Sequence, residues 1–276
     1  MRKILLITGA LTFLLVSYAL SQKTEIKNPP SLDPYIGNNF YDATKLIPGE
    51  LRRTSLVSRA KPAPYKEYLK IPKIKLPEAD FRGMTVEEAI EKRRSKRQEI
   101  SFSREPITLA ELSQLLFSAS GITGRFLELE LRAAPSAGAL YPIELYLVVG
   151  NVAQLEPGIY HYSPKYHNLS LIKRGDFGDK ITQAVMNQPS MKNAAVVFIF
   201  SAIPARTTHK YGLRGWRYVY MEIGYISENI YLAATSLGIS TTAVGAFYDE
   251  EVNQLLGLDG REEMALHVQV AGKAQE

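Results

Sequence analysis

The stretch from Arg217 to Gly238, RYVYMEIGYISENIYLAATSLG, is apolar nearly all round and ends on glycine. A helix coated in this way has no solvent face of its own, so it belongs inside a large core or between subunits. The chain must therefore supply broad apolar surfaces to receive it. With 276 residues, 46% of them hydrophobic, it has enough for one large domain or two small ones. AAVVFIFSAI, apolar on both sides, reads as a central strand. GIYHYSPKYHNLSLIKRG reads as a hairpin, because apolar alternation flanks the Pro-Lys-Tyr-His-Asn turn.

Two helices announce their starts. Thr85 to Glu88 forms a capping box ahead of VEEAIEKRR, which ends near Arg94, and Thr108 to Glu111 forms another ahead of LAELSQLLFSA. In the second, leucines 109, 112, 115 and 116 share one face and Gly121 is the stop. STTAVGAF, a short helix DEEVNQLLG and the strand MALHVQVAGK complete the chain.

Upstream, Met1-Arg2-Lys3 precedes the apolar run ILLITGALTFLLVSYAL, and Ala19-Leu20-Ser21 offers a small-x-small cleavage pattern. Residues 1–21 therefore read as an export signal, cleaved near Gln22 to leave a periplasmic or extracellular protein. An uncleaved membrane anchor and a buried N-terminal helix are the alternatives. Residues 22–81, rich in proline, read as an extended arm, and residues 82–276 as the main domain.

Composition excludes several chemistries. The chain has no cysteine, so disulfides, a thiol nucleophile and a cysteine zinc site are excluded together. Its four histidines have no metal-binding spacing, and no metal site is expected. A charge of +5 without a long basic block does not imply nucleic-acid binding. GxGxxG, the P-loop and GxSxG are all absent.

Three stretches remain as candidates for chemistry. KRRSKR, Lys92 to Arg97, gathers cations around a serine at a helix end. That suits a helix C-terminus, but the Arg forks and hydroxyl are also what a phosphate accepts. RAAPSAGALYPIELYLVVG, Arg132 to Gly150, places a run too small to fill a core before a strand. It is either a tight turn or a loop through which backbone approaches a ligand. TTAVGAF, Thr241 to Phe247, offers a second loop of small residues.

These motifs, in this order and with KYGLRGWRYVYMEIGYISENIYLAATSLG between the last two, resemble the nitroreductase superfamily of flavin enzymes, and within it the SagB-type, or ThcOx-like, dehydrogenase branch. The resemblance implies an α+β fold with a central, mostly antiparallel sheet flanked by helices, in a domain-swapped homodimer with FMN at its interfaces. It implies that FMN is held by Arg93, Arg94, Ser95 and Arg97, and by Pro135, Ser136, Ala137 and Gly138 reaching over from the other subunit. Val244, Gly245 and Ala246 would lie near the reactive edge of the ring, and Lys273 near the phosphate. Lys210 and Tyr211 match a position implicated as catalytic in that branch.

The implied activity is FMN-dependent oxidoreduction of a small-molecule or peptide substrate, with the electron donor undetermined. A nicotinamide-fed nitro or quinone reductase and a noncatalytic flavin-binding or partner subunit are the rivals. Ala139 departs from the asparagine common in nitroreductases. Glu222, buried in the apolar helix, needs partners, for which Arg214 or Arg217 of a second subunit are candidates.

Overall fold

The computed structural model describes residues 33–46, 48, 62–81, 83–95, 102–191 and 193–275. The proposed export signal and Arg97 lie outside them. Contacts divide the chain into Met1–Ala43 and Thr44–Glu276. Up to its last residue, helix α1 (Ile36–Thr44) belongs to the first unit. There the extended reading fails: Asp33 accepts from the Tyr35 N–H and the Asn39 side chain and starts a helix despite the neighbouring prolines.

The second unit is built on a seven-stranded sheet of order β1-β6-β5-β4-β7-β9-β8. Its strands are β1 (Lys73–Lys75), β4 (Ile143–Val149), β5 (Gly158–Ser163), β6 (Asn168–Arg174), β7 (Val196–Ala202), β8 (Ile239–Val244) and β9 (Met264–Lys273). Every ladder of the sheet is antiparallel. β5 and β6 are the expected hairpin. β1 comes from the proline-rich arm and adds an edge to β6.

The sheet is buried on both faces, which is why β4 and β7 read as unbroken apolar runs. Alternate residues still sort by side. Leu145, Leu147, Phe198 and Phe200 join Leu112, Leu115 and Leu116 of α3 (Leu109–Ser120) and Val219, Ile223, Ile226 and Ile230 of α6 (Gly215–Ser236). Tyr146, Val148, Val197 and Ile199 face the other way, toward Ile181 of α4 (Gly178–Ala184) and Val252 and Leu256 of α7 (Asp249–Leu256). Each large aliphatic side chain enclosed in these layers contributes roughly 1.5–3 kcal/mol.

Both capping boxes form, at α2 (Val86–Lys92) and at α3. α3 stops at Gly121, though not through a left-handed turn: Gly121 has φ −61°, and a Cβ there would stand 2.6 Å from the Phe117 ring. The small residue is needed for close approach. The sequence did not announce α4, the helix α5 (Ala205–Tyr211), or the hairpin β2 (Ile122–Phe126) and β3 (Leu129–Arg132). α5 has no side-chain cap and carries two adjacent threonines, so nothing local marks it.

α6 is covered on one side only. Its core face is buried, but Tyr220, Met221, Gly224, Tyr225 and Glu228 are exposed. In one chain, the helix that most constrains the fold is left half covered.

Candidate functional site

The run between β3 and β4 is a strained loop. Gly138 (φ 66°), Ala139 (φ 52°) and Tyr141 (φ 46°) all take left-handed conformations. Non-glycine residues held there cost of order 1–3 kcal/mol each and persist only where their surroundings impose them. Here the surroundings do so. The Tyr141 N–H donates to Ser136 Oγ at 2.9 Å, Tyr141 Oη accepts from the Arg132 N–H at 3.0 Å, and Arg132 lies 4.3 Å over the Tyr141 ring.

Beneath the loop, Arg206 of α5 donates to the Tyr141 carbonyl at 3.1 Å and to Glu144 Oε1 at 2.6 Å. Glu144 Oε2 meets His161 Nε2 at 2.7 Å. Arg206, Glu144 and His161 are all buried. Burial works against Glu144's ionisation, but its hydrogen bond to His161 and the Arg206 charge overcome this and hold the carboxyl down at about 2. A buried ion pair of this kind adds little net stability, but removing one partner strands the other.

Glu222 of α6 is buried near the loop, within the electrostatic influence of Ser136, Arg132 and Arg206. It is 3% exposed. Burial raises its carboxyl to about 7, against the lowering effects of Ser136, Arg132 and Arg206. Arg214 and Arg217 of the same chain donate to Thr44.

At the loop's apex the two candidate catalytic side chains converge. A Cβ on Gly138 would stand 2.7 Å from Tyr211 Oη and 2.8 Å from Lys210 Nζ. Glycine is favoured here by φ, and a Cβ would have to displace both side-chain tips. Pro135, Ser136, Ala137, Gly138, Lys210 and Tyr211 thus form one group within a single chain. Tyr211 is fixed by an edge-on contact with Tyr218 at 5.1 Å. Beside the loop opens a cavity of about 390 Å³, lined by Tyr65, Arg132, Ala139 and Tyr141 among others. A larger cavity of about 710 Å³, bordered by Arg104, Asn151, Asp179 and Gln188, touches none of the candidate residues.

The second group assembles around Tyr231. Arg93 follows the end of α2, its guanidinium 5.4 Å from the Tyr231 ring and its Nε 3.8 Å from Glu228. Ser95 Oγ lies 3.2 Å from Tyr231 Oη, which accepts from the Ala243 N–H at 2.7 Å. One tyrosine thus ties KRRS to TTAVGAF. Val244 is buried at the end of β8, and Gly245 and Ala246 are exposed beyond it. No heavy atom lies within 4 Å of a Cβ built on Gly245.

Arg94 turns back onto the Glu91 and Arg93 carbonyls, the structural use of a cation at a helix end. Lys273 is held by Glu111 at 2.5 Å and pairs with Ile239, at the opposite end of β8 from Val244. That separation is roughly 17 Å of strand, so Lys273 does not join the Tyr231 group.

The two groups grip opposite flanks of α6. Glu222 and Tyr231 are nine positions apart on one helix, which is roughly 13 Å along the axis and half a turn around it. The exposed stripe of α6 runs between them. Arg93 and Ser95 offer the cation and hydroxyl that a phosphate-bearing cofactor requires, and the open backbone at Gly245 leaves room for a flat ring. This donor set fits a flavin nucleotide. Sequence reasoning missed Tyr231, Arg132, Glu144, His161 and Arg206; an aromatic in an apolar helix carries no signal that sets it apart from core.

The nitroreductase family model matches residues 90–273. A Methanocaldococcus jannaschii protein named as a nitroreductase is 42% identical over 183 residues, 66% of this chain and 88% of that protein. The trifolitoxin-processing protein TfxB of Rhizobium leguminosarum is 32% identical over 133 residues, 46% of this chain and 36% of TfxB. Among solved structures, an Anabaena variabilis protein named as a nitroreductase superposes with a TM-score of 0.70 at 24% identity. The match covers 91% of this chain and 50% of that one, so this chain spans half its length. A chain of the Escherichia coli microcin synthetase McbBCD complex with truncated pro-MccB17 bound gives 0.58 at 21% identity, over 86% of each chain. The likeness to these structures is one of fold.

Proposed function

Because the chain belongs to the nitroreductase family, and is thereby an oxidoreductase, we propose that it is an FMN-dependent dehydrogenase of the SagB type, working as a homodimer on a small-molecule or peptide substrate. The observation that carries this reading is the convergence of Lys210 Nζ and Tyr211 Oη on Gly138.

Arg93 and Ser95, with Arg97, hold the phosphate and ribityl chain, and Val244 to Ala246 present backbone to the ring. When bound, FMN supplies a two-electron hydride acceptor. The substrate's proton needs a separate acceptor. Lys210 and Tyr211 take that role, with Pro135 to Gly138 keeping water from the reacting face.

The separation of the two groups across α6 supports the dimer. A small ligand cannot touch both flanks of one helix, but a second copy packed on the exposed stripe of Met221, Gly224, Tyr225 and Glu228 brings its Pro135–Gly138 loop toward the first copy's Arg93 and Ser95. The names of TfxB and of the McbBCD complex with its bound pro-peptide support a peptide-like substrate. The N-terminal run supports an exported protein whose electron partner lies outside the cytoplasm.

The first experiment is the absorption spectrum of purified residues 22–276, native and Arg93→Ala. A yellow native protein, with flavin lost from the variant, supports the reading; native protein that stays colourless after supply of FMN sinks it. A nicotinamide-fed nitro or quinone reductase is the second reading, favoured by the name of the M. jannaschii relative. It removes no substrate proton, so Lys210→Met with Tyr211→Phe leaves its turnover intact and abolishes that of a dehydrogenase.

A further inference from the structure

The site holds one side chain that no motif assigns. Tyr231 of α6 is 8% exposed, and its hydroxyl stands between Ser95 Oγ, at 3.2 Å, and the Ala243 N–H, at 2.7 Å. A backbone N–H can only donate, so Tyr231 Oη accepts from Ala243. A phenol carries one further hydrogen, and a buried hydroxyl needs an acceptor for it. Ser95 Oγ is the acceptor at hand.

Either hydroxyl could donate across this pair, and donation from Tyr231 is the direction that gives the phenol hydrogen a protein acceptor. Once Ser95 accepts from Tyr231, its own hydrogen points onward and the serine acts as a donor to whatever lies beyond. The Arg93 guanidinium over the same ring sets a positive charge beside it. Ser95 as a donor and the Arg93 charge, which Glu228 3.8 Å away partly offsets, thus favour an acceptor-rich anion.

We propose that Tyr231 is the positioning residue of the cofactor site: it locks Ser95 as a hydrogen-bond donor and fixes the Ser95 segment to the backbone of β8, so that the phosphate and ribityl ends and the ring end of the nucleotide are set at one spacing. This rests on the FMN reading above. Tyr231 itself need not touch the ligand; it acts through Ser95 and Ala243.

The test is a double-mutant cycle on FMN affinity, with the full mature chain, Tyr231→Phe, Ser95→Ala and the pair. Dissociation constants are read from flavin fluorescence, and thermal unfolding is recorded without ligand. Each single change is expected to weaken FMN by about tenfold, the value of one hydrogen bond to a charged ligand. Because both remove one relay, the double variant is expected to bind no worse than the weaker single.

Equal binding by Tyr231→Phe and native chain overturns the proposal, and so does a double variant whose loss is the product of the two singles, since Tyr231 would then act independently of Ser95. Native chain that binds no FMN overturns the cofactor reading instead. Should Tyr231→Phe fail to fold, Ser95→Ala and Ser95→Cys decide. The relay requires the strong donor to bind best, the weak thiol donor to fall between and alanine to bind worst; equal affinity across the three refutes it.

Discussion

Replacing Glu222 by glutamine removes a titration that the fold has displaced. The side chain is 3% exposed, and burial lifts its carboxyl from 4.5 to about 7. The native state thus binds this proton more tightly than the unfolded chain. Between those two values it holds more protons, so stability falls as pH rises and the loss is complete above about 7. Two and a half pH units correspond to roughly 3 kcal/mol overall, most of which falls between pH 5 and pH 8.

Glutamine keeps the shape and a polar end but cannot ionise. Glu222→Gln is therefore expected to match the native chain to within about 1 kcal/mol at pH 5 and to exceed it by about 2–3 kcal/mol at pH 8. Urea denaturation of both proteins across this range measures it, and the difference between the two curves cancels every other titrating group. Curves that stay parallel from pH 5 to pH 8 would falsify the assignment of a buried, proton-binding Glu222.

Three further outcomes follow from the same geometry. Gly138→Ala meets only the far ends of Lys210 and Tyr211. It should cost stability about 1–2 kcal/mol for its left-handed backbone, yet lower turnover by about a hundredfold by displacing both tips, as thermal melts and kinetics will show. Glu144→Ala leaves the buried Arg206 charge uncompensated and should destabilise by about 3–5 kcal/mol in denaturant titration. In the native chain Glu144's low value means that its contribution, present above 4.5, is lost as pH falls toward 2. In the proposed dimer, Met221→Asp, placing charge on the exposed stripe of α6, should yield a monomer by light scattering and release the flavin, whereas an unchanged dimer mass would count against that stripe as the interface.

Much of this was legible locally. Both capping boxes, the hairpin Gly158–Arg174 and the two-sided burial of Val196–Ala202 follow from side-chain chemistry within a few residues, and the structure contains all of them. The motifs around Arg93, Ser136, Lys210 and Gly245 were likewise visible as unusual residue types. α5 was not, because its sequence carries no side-chain cap; the β2–β3 hairpin had a signal in the strict alternation of Leu127 to Arg132, LELELR, but its pairing with Ile122 to Phe126 had none. They are placed by neighbours, α5 by the buried pair of Arg206 with Glu144.

What the sequence determined by itself was most of the strands, the capped helices, and the residues too small, too charged or too apolar to be ordinary. What only the tertiary structure decided was their grouping. Gly138 meets Lys210, some seventy positions away, and Ser95 meets Ala243 through Tyr231, while Lys273 departs to Glu111. The physical reason is that a hydrogen bond or a close packing contact depends on distance in space alone, and chain positions so remote acquire a distance only when the sheet and α6 have fixed it.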